Sequence, residues 1–277
     1  MKKAAVSFLI LNFSLLFSIP SFAQTYEELV QKGLDASAEN KLEDAEQYFR
    51  QALKLAPEDY RNPLIYFNIA KLLEAQNLPM KALDNYELAL ASAPLNVPIL
   101  KARGDLFMQL GNFSKAAIDY GNILDVDPNN ADALLGRAYI FQQRRDYMKA
   151  KEDYERLLSI DPNNYAALLG VAILFQNAGK PQDALSRITT LIDKYPDKAE
   201  LYSVRAEIEA EAKQTELAII DLDKAIALEP NNTNMILTRA FIHLENGRKH
   251  LAKQDFERAI SLGVPRGQLK EELKRCK

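Results

Sequence analysis

The feature that most constrains this chain is a repeating unit of 34 residues. Each unit has an alanine at the same position, namely Ala45, Ala82, Ala116, Ala150, Ala184, Ala218 and Ala252. The first spacing is 37 residues and the next five are 34 residues each. A period of this length indicates an array of similar supersecondary units, each of which packs on its neighbours, and not a single globular core.

Each unit has the pattern of two packed helices. A second small residue precedes each of these alanines by twelve positions, at Gly33, Ala70, Gly104, Ala138, Ala172, Ala206 and Ala240. A large apolar residue follows each alanine by four positions, at Phe49, Tyr86, Tyr120, Tyr154, Ile188, Leu222 and Phe256. Small residues at these places let two antiparallel helices cross closely, and the larger side chain fills the space beside the crossing.

Turn residues agree with the helical hairpins. Proline follows the first six marker alanines by twelve residues, at Pro57, Pro94, Pro128, Pro162, Pro196 and Pro230, and it predicts the end of each second helix. Asn130, Asn164 and Asn232 are placed to cap the helix that comes next. Gly111, Gly179 and Gly247 fall at the turn inside their hairpins, where a left-handed backbone is often needed.

This pattern resembles the tetratricopeptide repeat family, a helix-turn-helix unit of 34 residues, and the resemblance extends over seven consecutive repeats. It implies an all-α fold, a right-handed superhelical solenoid of antiparallel helix pairs. The predicted repeats, numbered 1 to 7 below, span about 26–59, 63–96, 97–130, 131–164, 165–198, 199–232 and 233–264. The family's tryptophan of the first helix is replaced throughout by Leu, Tyr or Ile, which keeps the position apolar.

The first 23 residues have the pattern of a secretory signal peptide. Lys2 and Lys3 form a basic start, an apolar stretch follows, and Ser21 and Ala23 provide small residues before an expected cleavage site. A retained membrane anchor is the alternative, but the apolar stretch is shorter than the roughly 20 residues of a spanning helix. We therefore expect an exported protein without a membrane span, in the bacterial periplasm or outside the cell, with a eukaryotic secretory compartment as the other reading.

A capping helix is predicted at the C-terminus, over residues 265–277. Leu269, Leu273 and Cys276 recur at the spacing of one helical stripe, and Lys, Arg and Glu cover the rest. Such a segment is typical of a cap that shields the last repeat from water. Cys276 is expected to be a packed apolar residue, with intermolecular oxidation as a second possibility.

Composition excludes several classes of function. The chain has 35 Lys and Arg against 38 Asp and Glu, so it lacks the basic surplus typical of nucleic-acid binding. One cysteine and two histidines leave no set of side chains at metal-ligand spacing, and no nucleophile motif is present. We expect no catalytic residues, no metal and no cofactor. His243 falls where repeats 3 to 5 have phenylalanine, which predicts a hydrogen-bonded core or boundary histidine.

Arginine and aspartate recur together sixteen residues apart. Four repeats carry both residues, as Arg103 and Asp119, Arg137 and Asp153, Arg205 and Asp221, and Arg239 and Asp255. Repeats that lack the arginine also lack the aspartate; repeat 5, for example, has Val171 and Arg187. This matched occurrence favours structural ion pairs within each hairpin over an anion-binding row of arginines.

The resemblance implies a binding surface for another protein or a peptide. Residues that face the concave groove in this family are Lys101, Asp105 and Met108 in repeat 3, Leu135, Tyr139 and Gln142 in repeat 4, and Leu169, Ile173 and Gln176 in repeat 5. Repeat 6 interrupts this strip with Ser203 and Glu207. Leu237 and Phe241 in repeat 7 are expected to form a second patch of the binding surface or a contact for another copy of the chain. The small Gly136 and Gly170, beside the residues of repeats 4 and 5, are expected to leave the groove floor open. The alternative is that these apolar residues only pack against the adjacent first helix.

Two functions remain open from the sequence. The first is an exported, non-enzymatic adaptor or scaffold of the cell envelope, and the second is a holdase-like chaperone for unfolded exported proteins. An enzyme is a remote third reading. The sequence leaves the partner and the oligomeric state open.

Overall fold

A computed structural model describes residues 24–277 of the protein. The expected signal peptide lies outside the described residues. Within them the fold is all-α, without strands, and consists of helices in consecutive packed pairs. The contacts divide the chain into two compact blocks, which we call the N-terminal block, ending at Arg137, and the C-terminal block, Ala138–Lys277. The boundary falls inside helix α7.

The N-terminal block contains the helices of repeats 1 to 3 and the start of repeat 4. These helices are α1 (Tyr26–Ala38), α2 (Leu42–Leu55), α3 (Asn62–Ala75), α4 (Pro79–Ser92), α5 (Val97–Gln109), α6 (Phe113–Val126) and the first half of α7 (Ala131–Gln143). The odd-numbered helix of each pair is the first helix of its repeat, and the even-numbered helix is the second.

The C-terminal block contains the remaining hairpins and the cap. Its elements after α7 are α8 (Tyr147–Ile160), α9 (Tyr165–Asn177), α10 (Pro181–Lys194), α11 (Ala199–Glu211), α12 (Thr215–Leu228), α13 (Thr233–Glu245), α14 (Lys249–Ser261), a 3-10 turn (Arg266–Leu269) and α15 (Lys270–Arg275).

The crossings form where the small residues predict them. All seven marker alanines of the second helices have no solvent-exposed surface, and so have the five alanines among the paired positions of the first helices. The aromatic or aliphatic residues four positions further on are also buried, with Phe49 and Phe256 fully enclosed. Close approach at the small residues therefore determines the geometry of every hairpin whose two helices lie in one block.

Helix ends follow the predicted turn chemistry. The second helices end two residues before each proline, as α6 does at Val126 ahead of Pro128. The side chain of Asn164 accepts a hydrogen bond from the Ala167 backbone N–H at 3.1 Å and so caps α9. Asn232 caps α13 in the same way, through the backbone N–H of Met235. These caps satisfy backbone donors that a helix start leaves unpaired.

A left-handed residue lies at the turn inside the hairpins. Gly111, Gly179 and Gly247 have φ values of 71°, 70° and 73°, as their positions predict. The other four hairpins use a non-glycine residue with φ near 60° at this place, namely Asn40, Asn77, Arg145 and Lys213. The turn geometry is therefore common to all seven repeats, although only three of them have the residue that adopts it without steric cost.

The C-terminal segment caps the last hairpin, but it is not a single helix. The chain leaves Pro265 in a 3-10 turn, and α-helix begins only at Lys270. Leu269 and Cys276 are buried in one small core with Phe256 and Leu244. Cys276 is thus packed as expected, and its burial raises the pKa of the thiol.

Candidate protein-interaction groove

Four residues of the C-terminal block share one register on successive first helices. They are Tyr139 on α7, Ile173 on α9, Glu207 on α11 and Phe241 on α13, each 34 residues after the last. Residues in the same register of stacked repeats lie on the same face. Tyr139 is 43% exposed and Phe241 is 38% exposed, so two large aromatic side chains of this register are accessible to a partner. We call these four residues the groove row.

Two apolar members of the groove row, Phe241 and Ile173, rest on packed neighbours. The Phe241 ring meets the Phe256 ring edge to face, with 5.3 Å between their centroids. Ile173 and Leu237 are half-buried and pack on the core of the C-terminal block. Such support holds a partly exposed side chain in place, so less side-chain entropy is lost when a partner covers it.

Polar groups border the groove row. Gln142 accepts a hydrogen bond of 3.2 Å from the Tyr154 hydroxyl, and burial raises the pKa of Tyr154 to about 12. Gln176 on α9 is half-buried. Apolar anchors with polar groups at their edge are the arrangement of a protein-interaction surface.

The expected apolar strip is interrupted at Leu169. This side chain is only 7% exposed, and it packs in the same core as Ala184 and Ile188 of α10. Leu135, which lies in the N-terminal block, is half-buried. Leu169 is therefore a core residue of repeat 5 and is removed from the candidate groove.

The expected open floor at Gly136 and Gly170 is also wrong. A methyl group built on Gly136 would lie 2.7 Å from the Tyr120 ring, and one on Gly170 would overlap the Tyr154 ring. Only glycine fits at these two positions, because a tyrosine ring from the preceding second helix fills the space that a larger side chain would need. The tyrosine thereby fixes how closely the next first helix approaches.

Lys101 and Asp105, two predicted groove residues of the N-terminal block, belong to a paired polar network. The Lys101 ammonium lies 2.8 Å from Asp105 and 3.5 Å from Asp132. The Tyr120 hydroxyl donates a hydrogen bond of 2.7 Å to the other carboxylate oxygen of Asp105, and Met108 is half-buried. The charged and polar groups of this network bond to one another. Neither Lys101 nor Asp105 is an exposed aromatic side chain like Tyr139 or Phe241 of the C-terminal block.

The arginine and aspartate of three hairpins are in contact. Arg103 donates two hydrogen bonds to Asp119, at 2.9 and 2.6 Å, from its Nε and one terminal nitrogen. The same two-point contact joins Arg205 to Asp221, at 2.5 and 2.8 Å, and Arg239 to Asp255, at 2.9 and 2.7 Å. Arg137 and Asp153 belong to different blocks, and their pairing stays a prediction.

These pairs are structural and not a ligand-binding row. The three aspartates are buried, and burial raises the pKa of Asp119 even though Arg103 opposes the shift. Hydrogen bonding to Asp221 raises the pKa of Arg205 and so holds its charge. With both acceptor oxygens on the guanidinium, the carboxylate is desolvated but paired, which is the condition for keeping a charge inside a protein.

Two buried ionisable residues replace phenylalanine in the last repeats. Phe107, Phe141 and Phe175 hold this position in repeats 3 to 5, whereas repeat 6 has Glu209 and repeat 7 has His243. One carboxylate oxygen of Glu209 and the Nδ1 atom of His243 have no hydrogen-bond partner among the described residues. The expectation of a hydrogen-bonded His243 is therefore wrong at this atom.

Burial dominates the titration of both side chains. It raises the pKa of Glu209 to about 7, with the nearby Asp221 charge adding to the shift and Arg205 opposing it. Burial also lowers the pKa of His243. The sequence already shows that both residues stand where other repeats have phenylalanine. Only the packing shows that both side chains are buried, and therefore that their charged forms are disfavoured.

Within residues 24–277, no three His, Cys, Asp or Glu side chains are grouped so that they could hold a metal ion. The same part of the chain contains no helix with the length and apolar character needed to cross a membrane.

Comparison with known proteins identifies the family. Tetratricopeptide repeat models match residues 30–97, 101–165, 141–208 and 234–262. The chain therefore belongs to the tetratricopeptide repeat family, and it is a repeat protein of the kind that mediates protein–protein interaction. No curated protein is a match.

Solved structures share the fold. A tetratricopeptide repeat protein from Parabacteroides merdae ATCC 43184 is 29% identical, with 92% of this chain and 99% of that chain covered at a TM-score of 0.80. YrrB, described as a tetratricopeptide repeat protein with an unusual peptide-binding site, is 21% identical, with 68% of this chain and 95% of the YrrB chain covered at a TM-score of 0.54. A chain of the APC/C heterotetramer Cut9–Hcn1 is 14% identical, with 90% of this chain and 55% of that chain covered at a TM-score of 0.61.

Proposed function

We propose that this protein is an exported, non-enzymatic adaptor or scaffold of the cell envelope that binds a partner protein or peptide on the groove row. The observation that carries the proposal is the pair of partly exposed aromatic side chains, Tyr139 and Phe241, on one face of the C-terminal block. Aromatic side chains are enriched at protein interfaces, and tyrosine is among the residues that most often dominate the binding energy there.

The groove row also indicates the chemistry of the partner. Ile173 continues the apolar character next to Tyr139, whereas Glu207 interrupts it before Phe241. A partner segment with apolar side chains at its two ends and a basic or hydrogen-bonding residue between them fits this order. Burying an apolar side chain against Tyr139 or Phe241 contributes on the order of 1.5–3 kcal/mol at each position.

Export is proposed from the N-terminal sequence, and it has its own test. The protein is recovered from the cell fraction in which it accumulates, and its N-terminus is sequenced. We expect a start at Gln24, after cleavage at Ala23. Membrane-bound protein that starts at Met1 would contradict export through a cleaved signal peptide.

The groove row is tested by photo-crosslinking in the native cell. A photoreactive phenylalanine analogue replaces Tyr139 in one variant and Ile220 in a control; Ile220 is 61% exposed on the second helix α12. We expect a discrete crosslinked partner from position 139 and not from position 220. Equal crosslinking from both positions would contradict a specific groove.

The same experiment separates an adaptor from a chaperone. An adaptor yields one or a few crosslinked partners of fixed stoichiometry. A holdase-like chaperone yields many unrelated partners, and the purified protein suppresses aggregation of chemically unfolded test proteins. Loss of that suppression in Tyr139→Ala would assign the chaperone activity to the groove row.

A further inference from the structure

Positive charge is concentrated at the C-terminal end of the chain. Residues 248–277 contain nine Lys and Arg against four Asp and Glu, whereas residues 24–247 contain 24 Lys and Arg against 34 Asp and Glu. A net charge of -3 for the whole chain therefore conceals two regions of opposite sign. Such asymmetry points to an electrostatic role for the end of the chain.

The basic surplus forms a surface on the last hairpin and its cap. Lys249 and Lys253 lie one helical turn apart on α14, on either side of Ala252, whose side chain packs in one core with Cys276. Arg275 on α15 precedes that cysteine. The charges of all three cations act on the Cys276 thiol and lower its pKa, and Glu272 on α15 is the one carboxylate that acts on it in the opposite direction. We call Lys249, Lys253 and Arg275 the basic end.

The cations of the basic end have no acidic partner. All three side chains are exposed, and none forms an ion pair with any residue of the described part of the chain. Their neighbours differ in this respect, since Arg248 pairs with Glu216, Arg266 with Glu257 and Lys274 with Glu271. The basic end is thus a patch of unneutralised charge beside a set of satisfied pairs.

An acidic surface lies on the first hairpin. Five Asp and Glu and one Lys occur between Asp35 and Glu46, at the turn that joins α1 to α2. Within the described residues Glu39 pairs with Lys41 and Glu46 with Arg50, whereas Glu43 and Asp44 are exposed without an ion pair. We call Asp35, Glu39, Glu43 and Asp44 the acidic turn.

We propose that the basic end of one copy of this protein docks on the acidic turn of a second copy, so that copies associate head to tail. Each copy supplies one surface of each sign, the acidic turn on its first hairpin and the basic end on the second helix of its last hairpin and on the cap. The contact joins two different patches and is therefore heterologous, so it propagates into a chain or closes into a ring. Opposite charges provide the attraction at this contact, so the association depends on salt.

Charge reversal tests the contact on the whole purified protein. One variant carries Lys249→Glu and Lys253→Glu, the other carries Glu43→Lys and Asp44→Lys, and sedimentation velocity measures association at low ionic strength. We expect the unaltered protein to associate and each variant alone to be monomeric. An equimolar mixture of the two variants is expected to associate again, because each reversed surface then meets its complement.

A matched control separates this contact from net charge. Lys213→Glu with Lys224→Glu makes the same change of charge at two exposed lysines, one in the turn between α11 and α12 and one on α12, that form no ion pair within the described residues. We expect the control to associate as the unaltered protein does, and the unaltered protein to associate about tenfold or more weakly when salt rises from low to molar concentration.

Three outcomes would overturn the proposal. They are a monomeric unaltered protein at every concentration and ionic strength, an association that the charge-reversed variants retain, and a mixture of the two variants that stays monomeric. Circular dichroism of each variant checks that its helices are intact. Binding of a monomeric protein to vesicles of anionic lipid through Lys249 and Lys253 would assign the basic end to a membrane surface instead.

Discussion

Arg187 stacks on Phe175, with its guanidinium carbon 4.5 Å from the ring centre. Both residues belong to repeat 5, where Val171 takes the place of the arginine that other repeats pair with aspartate. Arg187 itself occupies the aspartate position. The hairpin has thus exchanged a charged pair for a cation–π contact, which uses the ring that is already at this place in repeats 3 to 5.

The first prediction concerns two substitutions that introduce the missing arginine–aspartate ion pair into repeat 5. Val171→Arg alone should destabilise the protein by about 1–3 kcal/mol, because it brings a second cation next to Arg187 without a partner. Arg187→Asp alone should cost about 1 kcal/mol through loss of the cation–π contact. The double variant should recover much of both losses, since the new pair copies Arg205 and Asp221.

Urea denaturation followed by circular dichroism measures the effect of these substitutions. The expected coupling between the two substitutions is about 1 kcal/mol or more. Additive effects would show that the two positions do not meet in repeat 5, contrary to the hairpin geometry described above.

The second prediction concerns the tyrosine that covers a glycine of the next repeat. Gly170→Val should destabilise the protein by about 1–3 kcal/mol, because the new side chain overlaps the Tyr154 ring. Tyr154→Ile in the same chain should restore part of the loss. It recreates the combination of Ile188 with Val204, which occurs sixteen residues apart in the following repeats.

Melting curves of the two single variants and the double variant test this packing. If Gly170→Val is as destabilising with isoleucine at position 154 as with tyrosine, the ring is not the obstacle. Gly121, where an added methyl group meets nothing within 4 Å, provides the control as Gly121→Ala, which should not destabilise.

The third prediction uses the left-handed turn residues. Lys213 has a φ of 61° and Gly247 a φ of 73° at the same place in consecutive repeats. Lys213→Gly should stabilise the protein by up to about 1 kcal/mol, and Gly247→Ala should destabilise it by about 1 kcal/mol. An added methyl group at Gly247 has nothing within 4 Å, so backbone strain alone sets its cost. Chemical denaturation midpoints that move in the opposite directions would contradict the assigned turn.

The fourth prediction is a pH dependence that arises from Glu209. Its pKa is about 7 in the folded protein and lower in the unfolded chain, so the folded state binds more protons between these values. Stability is therefore expected to fall as pH rises towards 7 and to level off above it. Glu209→Gln should remove this component and should be the more stable protein at pH 8.

Matched variants isolate the Glu209 component from all other titrations. The difference in unfolding free energy between the unaltered protein and Glu209→Gln is measured from pH 5 to pH 8. The same measurement on Glu211→Gln, at an exposed position on the same helix, gives the effect of removing a carboxylate charge that is not buried. A flat Glu209 difference would mean that this carboxylate is solvated in the folded state.

The repeat period predicted most of the fold because it reports the helix crossings directly. Ala45 and its six equivalents lie where two helices approach closely, and only a small residue fits at such a crossing. Leu169 was misassigned because a leucine on a first helix has the same sequence signature whether it faces the groove or the hairpin core. Its burial against Ala184 and Ile188 depends on the rotation of α9, which the period does not determine.

Gly136 and Gly170 were misread for a similar reason. Glycine at a groove register is compatible with open space and with a ring from another helix, and sequence position alone does not distinguish them. The available signal was the spacing, since Tyr120 precedes Gly136 by sixteen residues and Tyr154 precedes Gly170 by the same interval. Tyr86 and Ala102 depart from this pairing, so the rule is not strict.

The central claim is that the groove row captures a partner protein, and titration of the crosslinked partner tests it most directly. Calorimetry measures the affinity of the purified partner for the unaltered protein, for Tyr139→Ala, for Ile173→Asp and for the control Ile220→Asp. The two groove-row variants should each weaken binding at least about tenfold, which corresponds to about 1.4 kcal/mol. Tyr139→Ala should keep its melting temperature. Ile173→Asp should lower it, because Ile173 packs on the core, so binding is measured well below the melting temperature of each variant. The control should bind as the unaltered protein does. Unchanged affinity in both groove-row variants, with intact helices, would contradict the account.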